Sequence, residues 1–142
     1  MGGLAKPLLT VGGRTLLSRT IEVLAEVGVS PIVAVGPRLD DSPSVAWVRE
    51  DPPLGGPVAG IAAGLEHVTT GWVLILAGDL VRPRDLVRVL ATRFGGQGAA
   101  VRHPVEGYVF SAEGRPQWLA GLYRAGSVRT ALAALETHRN AS

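Results

Sequence analysis

Trp72-Val73-Leu74-Ile75-Leu76-Ala77-Gly78-Asp79 is the stretch on which the fold of this chain turns. Six apolar residues follow one another without polar alternation. A strand with only one buried face would alternate; an unbroken run is apolar on both faces, as a central parallel strand should be. Gly78-Asp79 ends it. Pro83 and Asp85 then favour a helix start, and the helical pattern runs to about Phe94.

The same logic extends in both directions. Upstream, Glu50-Asp51-Pro52-Pro53-Leu54-Gly55-Gly56 cannot be regular structure, and Pro57 suits the first turn of a helix whose apolar face is Val58, Ile61, Ala62 and Leu65. Pro31 to Val35 and Val45 to Val48 read as short strands, with Asp40-Asp41-Ser42-Pro43 as a loop between them. After the turn at Gly12-Gly13, residues Leu16, Leu17, Ile21, Leu24, Ala25 and Val27 recur at helical spacing, and Gly28 stands where a C-terminal cap belongs. Downstream, Gly95 to Gly98 is a loop, and Ala99 to Val101 and Gly107 to Phe110 are candidate strands. Glu113-Gly114-Arg115-Pro116 is a turn, Leu119 to Tyr123 fits strand or helix, and Val128 to Thr137 reads as helix. Strands alternating with helices imply a mostly parallel sheet with right-handed crossovers. Such sheets bind ligands beyond the carboxyl ends of their strands, and both Asp51 and Asp79 fall just past predicted strands.

Composition narrows the function classes. The chain has 142 residues, 46% hydrophobic and 18% charged, which describes one ordered domain rather than a disordered chain. A net charge of +2 is too small to argue for a nucleic-acid surface, and 5% aromatic residues leave little for stacking single strands. With no cysteine, disulfides, iron–sulfur clusters and thiolate zinc sites are excluded. The apolar runs are strand-sized, so no membrane span is expected, and the first residues do not read as a secretory signal. A cytoplasmic location is the default expectation.

Four features carry chemistry. Asp79 follows a buried strand, where a carboxylate is costly unless it coordinates something or caps a helix. Magnesium takes one or two carboxylates together with phosphate oxygens and water, so Asp79 reads as a metal ligand or as an ordinary turn aspartate. Gly55-Gly56-Pro57 opens a helix whose free N–H groups attract anions, or it is a plain glycine-rich turn. Asp51, held extended by the prolines after it, is a fixed hydrogen-bond acceptor or a solvated loop acid. Lys6, the only lysine, is a phosphate-neutralising point charge or a solvated N-terminal residue. His67, His103 and His138 show no metal spacing, and Ser18, Ser111 and Ser127 show no nucleophile-elbow context.

Taken together, these segments resemble the MobA-like nucleotidyltransferases, a family that includes molybdenum cofactor guanylyltransferase. The resemblance lies in Met1 to Leu9 and Val11 to Leu17, then in Asp51-Pro52-Pro53-Leu54-Gly55-Gly56-Pro57-Val58-Ala59-Gly60-Ile61. It continues through Val73 to Asp79 and Gly114 to Arg124. It implies a Rossmann-like three-layer α/β fold of the nucleotide-diphospho-sugar transferase type. It also implies transfer of GMP from GTP to the phosphate of molybdopterin, with magnesium as cofactor and pyrophosphate as the leaving group. By the same likeness Lys6 would bind phosphate, Asp51 would contact the guanosine, and Gly56, Pro57 and Gly60 would shape the base pocket. Asp79 would hold the metal; Lys6 and Asp79 would be the catalytic pair.

The Gly-Pro-Val-Ala-Gly segment is similar to the guanylyl rather than the cytidylyl branch. Arg115, Gln117 and Arg124 would be available to a second, phosphate-bearing substrate. Against the family pattern, a strand and a glycine-rich loop are expected before Met1, in the middle of the sheet, and a closing loop and helix after the last residue. The expectation is a single nucleotidyltransferase-like domain over 1–142, incomplete at the N-terminus and at the C-terminus. Its partners would be a nucleotide and a molybdopterin-like acceptor, with a protein partner in cofactor biosynthesis and neither nucleic acid nor membrane. The alternatives are a related transferase using CTP or another acceptor, a non-catalytic nucleotide-binding or interaction protein, and a structural fragment of a fused biosynthetic protein.

Overall fold

A computed structural model describes residues 10–11, 14–36, 45–49, 56–94 and 105–141. It is a mixed α/β chain of seven strands and four helices among those residues. Strands β1 (Thr10–Val11) and β2 (Arg14–Thr15) form a small antiparallel pair, and the expected Gly12-Gly13 turn lies outside the described residues. Helix α1 (Leu16–Glu26), strands β3 (Ile32–Val35) and β4 (Val45–Val48), helix α2 (Gly56–Leu65) and strand β5 (Trp72–Leu76) follow. Helix α3 (Pro83–Phe94), strands β6 (Gly107–Ala112) and β7 (Arg115–Arg124) and helix α4 (Ala125–Ala141) complete the order. No helix among the described residues is long and apolar enough to cross a membrane.

The chain divides into two compact units, Met1–Ile32 with Leu76–Val105 and Val33–Ile75 with Glu106–Ser142. In the first, α1 packs on α3. The Thr15 hydroxyl caps α1 by accepting from the Ser18 N–H at 3.0 Å. At the other end Gly28, at φ +82°, lets its own N–H reach the Ala25 carbonyl and the Val29 N–H reach that of Leu24. These two bonds satisfy carbonyls that a helix end leaves open, and only a left-handed residue at position 28 allows both. The buried face is Leu16, Thr20, Ile21, Val23 and Leu24, opposite Pro83 and Val87 of α3. An exposed fork of Arg84 on Glu26, at 2.8 and 3.3 Å, joins the same two helices. That guanidinium holds the Glu26 carboxyl below its ordinary range.

In the second unit the strands lie in two separate sheets. Gly36, just after β3, donates to the carbonyl of Val48, the last residue of β4, at 2.8 Å. The two strands therefore end side by side and run parallel. The other sheet has the order β5-β7-β6 and is antiparallel. Ala125, just after β7, donates to Gly71, just before β5, at 2.9 Å, so β5 and β7 run in opposite directions. The sequence expectation of a mostly parallel sheet thus holds for β3–β4 and not for the larger sheet. The cause is local: Glu113 (φ 52°) and Gly114 (φ 75°) form a two-residue turn with φ positive at both positions, and such a turn can join only antiparallel strands. Arg115 and Pro116, expected in the turn, belong to the strand. β5, expected at the centre, is instead the outer strand of the described sheet, and every one of its residues is half-buried.

Strand β7 is irregular. Val109 faces Gly121 but Phe110 faces Gln117, so Trp118, Leu119 and Ala120 have no partner on β6. The Tyr123 side chain closes this bulge. Its hydroxyl donates to the Trp118 carbonyl at 2.6 Å. Its ring lies over two glycines: a methyl on Gly107 would stand 2.8 Å from Tyr123 Cδ1, and one on Gly121 2.8 Å from Tyr123 Cε2. Neither approach is open to any other residue without displacing the ring. The next residue of β7, Arg124, lies 4.7 Å over the ring of Trp72 on β5, which in turn stacks on Tyr108 of β6 at 6.2 Å. Helix α4 leaves β7 at the buried Ala125, and its Arg129 donates to the carbonyls of Leu65 (3.4 Å) and Val68 (2.5 Å), capping the end of α2.

Two predictions follow from the Tyr123 packing. Gly121→Ala is expected to lower unfolding stability by about 1–3 kcal/mol in urea titration, because the added methyl overpacks a site bounded by the ring and by the Tyr108 carbonyl. Burial raises the Tyr123 phenol above its ordinary value. The folded state thus holds that proton more tightly than the unfolded one. Its contribution is complete below the ordinary phenol pKa and falls as pH rises through the folded value. Urea midpoints between pH 9 and 11 should decline less steeply in Tyr123→Phe than in the parent; equal slopes would show that another group controls alkaline stability.

Candidate functional site

Asp79 occupies the turn that follows β5, half-buried, with Gly78 before it and the fully buried Pro83 opening α3 four residues later. The strand fixes where the turn begins and Pro83 fixes where the next helix begins. The carboxylate between them has little backbone freedom. A half-buried carboxylate at a strand's carboxyl end can accept hydrogen bonds or serve as one hard oxygen ligand of a divalent cation. Among the described residues no group of three or more His, Cys, Asp or Glu side chains gathers into a protein-only metal cage. Magnesium does not need one: it commonly takes one or two carboxylates and completes its octahedron with phosphate oxygens and water. The residue present therefore fits that ion.

The predicted base-pocket residues stand together on α2. Gly56, at φ +86°, opens the helix in a backbone conformation that side chains rarely adopt. Pro57 and Val58 are exposed in its first turn, and Ala59 and Gly60 are half-buried. The first-turn N–H groups of a helix have no intrahelical acceptor, and the dipole places partial positive charge there. Pro57 removes one such donor, leaving those of Gly56, Val58 and Ala59 to any ligand at that end. Gly60 and Gly64, one turn apart, face β3: a methyl on Gly60 would lie 3.7 Å from Val35 Cγ1, and one on Gly64 3.2 Å from Val35 Cγ2. The helix thus approaches the strand closely at Gly64, a position the sequence reading passed over. Gly60 has ordinary van der Waals room.

Gly56, Pro57 and Gly60 belong to the second unit and Asp79 to the first. Lys6 and Asp51 lie outside the described residues, as do Pro52 to Gly55. The three residues considered for a second substrate separate along β7. Arg115 and Gln117 are exposed at its start, beside the hairpin turn, with Gln117 Nε2 donating to the Arg115 carbonyl at 3.3 Å. Arg124 is at the far end on Trp72. There a depression of about 680 Å³ is lined by Gly71, Glu106, Arg124, Ser127 and Thr130 among others. It adjoins the amino end of β5, the edge that parallel-strand proteins do not use for nucleotides.

Comparison with known proteins gives these positions a context. The family model described as MobA-like NTP transferase domain matches residues 1–142. The molybdenum cofactor guanylyltransferase of Vibrio atlanticus (strain LGP32) is 36% identical over 75 residues, 51% of this chain and 39% of that protein. A probable molybdenum cofactor guanylyltransferase of Synechococcus elongatus is 36% identical over 87 residues, 56% of this chain and 44% of that protein. The matched part is thus less than half the length of either relative.

The glycines of α2 can be told apart by substitution. Gly60→Ala has room for its methyl and gains helix propensity of up to about 1 kcal/mol, so thermal denaturation should show unchanged or higher stability. A loss of nucleotide affinity in that stable variant would mark Gly60 as a place where ligand meets backbone. Retained affinity would make it a helix-packing glycine alone.

Proposed function

We propose a specific reaction from one premise: the chain belongs to the MobA-like NTP transferase family. The reaction is transfer of GMP from GTP to the terminal phosphate of molybdopterin. An acceptor phosphate oxygen forms a bond to the α-phosphorus of GTP, the bond from that phosphorus to the β-phosphate bridging oxygen breaks, and pyrophosphate leaves. The observation that carries the reading is the family match across 1–142, which takes in the Gly-Gly-Pro-Val-Ala-Gly segment opening α2. The names of the two curated relatives support the guanylyl assignment.

The residues divide the work between orientation and charge. The open N–H groups at the start of α2 and the glycine backbone at Gly56 and Gly60 take the acceptor edge of the base. Asp51 accepts from the guanosine, and Lys6 neutralises phosphate as a point charge. Asp79 holds magnesium, which when bound supplies Lewis-acid polarisation of the phosphate oxygens. No covalent enzyme intermediate is needed; positioning and preorganised charge account for this class of chemistry. The reading carries with it a three-layer α/β arrangement and a cytoplasmic location.

Isothermal titration with GTP, CTP and ATP in the presence of magnesium tests it. GTP should bind with at least a tenfold preference, and Asp79→Ala should lose about tenfold or more in magnesium-dependent affinity, in keeping with the loss of one metal carboxylate. Preferential CTP binding would keep the transferase class and remove the guanylyl assignment. A folded protein that binds none of the three would overturn the proposal.

A further inference from the structure

The bulge in β7 has a consequence for substrate recognition. Ala125 meets Gly71, and the two strands are antiparallel, so the five residues of β5 run beside the last five of the ten in β7. The first half of β7 therefore continues past the carboxyl end of β5. The three residues without a partner on β6, Trp118 to Ala120, begin where β5 stops: Ala120 lies beside its last residue and Trp118 past it. Their two ends behave oppositely: Ala120 is buried, whereas Trp118 is 65% exposed, the most exposed of the large hydrophobic residues described. An indole left in water is unfavourable by the area it exposes, and a regular strand would have had the option of turning it inward.

The backbone that carries Trp118 is held in place. Three structural elements hold the bulge open: the Tyr123 hydroxyl on the Trp118 carbonyl, and the bare backbones of Gly107 and Gly121 beneath the Tyr123 ring. Bulges re-aim side chains, and they are frequent beside functional sites for that reason. The edge concerned is the carboxyl edge of β5, where α/β sheets receive their ligands. An aromatic face exposed at that edge suits a planar, fused-ring heteroaromatic, since base-to-aromatic stacking tolerates any ring with a π-face.

We propose that Trp118 is a stacking platform for the bicyclic heteroaromatic ring of a substrate, a purine or a pterin, and that the Tyr123–Gly107–Gly121 packing exists to present it. This rests on the nucleotidyl-transfer reading and names a contact within it.

The test is titration calorimetry of the parent, Trp118→Phe and Trp118→Ala with three probes: GTP with magnesium, pterin-6-carboxylate, and inorganic pyrophosphate with magnesium. Trp118 is exposed, so the variants should keep the parent circular dichroism spectrum. Trp118→Ala should weaken one bicyclic probe about tenfold. Trp118→Phe should stay within about threefold of the parent, and pyrophosphate should bind all three proteins alike. An effect on GTP assigns the platform to the nucleotide base, and an effect on pterin-6-carboxylate assigns it to the acceptor. If the parent binds GTP and both Trp118 variants bind every probe as it does, the platform is wrong and the nucleotidyl-transfer reading stands. If the folded parent binds neither GTP nor the pterin, both fail together.

Discussion

The Tyr123 ring lying flat on Gly107 and Gly121, with its hydroxyl on the Trp118 carbonyl, is the contact on which the larger sheet depends. β7 is the strand between β5 and β6, so any change in its path moves both neighbours. Its path is not regular, because three residues have no partner on β6. A bulge of that size gives up ladder hydrogen bonds, each worth about 1 kcal/mol net, and needs a compensating fixture. Tyr123 provides it from within the same strand, with its half-buried ring over Gly107 and Gly121 and a short hydroxyl bond. From the fixed end of β7 the chain passes directly into α4, whose Arg129 closes the open carbonyls at the end of α2. The helix that carries the glycine-rich start is thus tied to the strand that carries the bulge.

Much of this was legible in the amino-acid sequence wherever the cause was local. α1 was readable because its apolar spacing, and Gly28 just past its end, act within a few residues of one another. The same is true of α3, announced by Pro83 and Asp85, and of the Glu113-Gly114 turn. β5 was readable as a strand from its unbroken apolar run, but not its place in the sheet, which depends on partners far away in the chain. β7 stayed ambiguous because Ala120 and Gly121 are poor strand formers, and the role of Gly121 appears only once the Tyr123 ring lies over it. The bulge was invisible for the same reason: it is a relation between two strands, not a pattern in one. A glycine two residues before a tyrosine was the one available signal.

The functional residues follow the same division. Asp79 and Gly56 could be singled out because each sits at the junction of a strand or loop with a helix, and such junctions are marked by glycine and proline. Gly64 was missed because its importance lies in the approach to Val35, across a helix–strand interface. Arg124 was grouped with Arg115 and Gln117 by closeness in sequence, yet an extended strand of ten residues carries them to opposite ends. Lys6 and Asp51 lie outside the described residues, so their roles come from the family likeness. The chemistry proposed for the chain accordingly leans most on Asp79 and on the start of α2.

The reaction proposed for this chain is guanylyl transfer. Its most direct measurement is release of pyrophosphate from GTP in the presence of magnesium and molybdopterin, followed together with appearance of the guanylylated acceptor. The two products should form in equal amounts, release should require the acceptor, and Asp79→Asn should abolish both while leaving the protein folded. A folded protein that binds GTP and molybdopterin but forms neither product, or an Asp79→Asn variant as active as the parent, would contradict it.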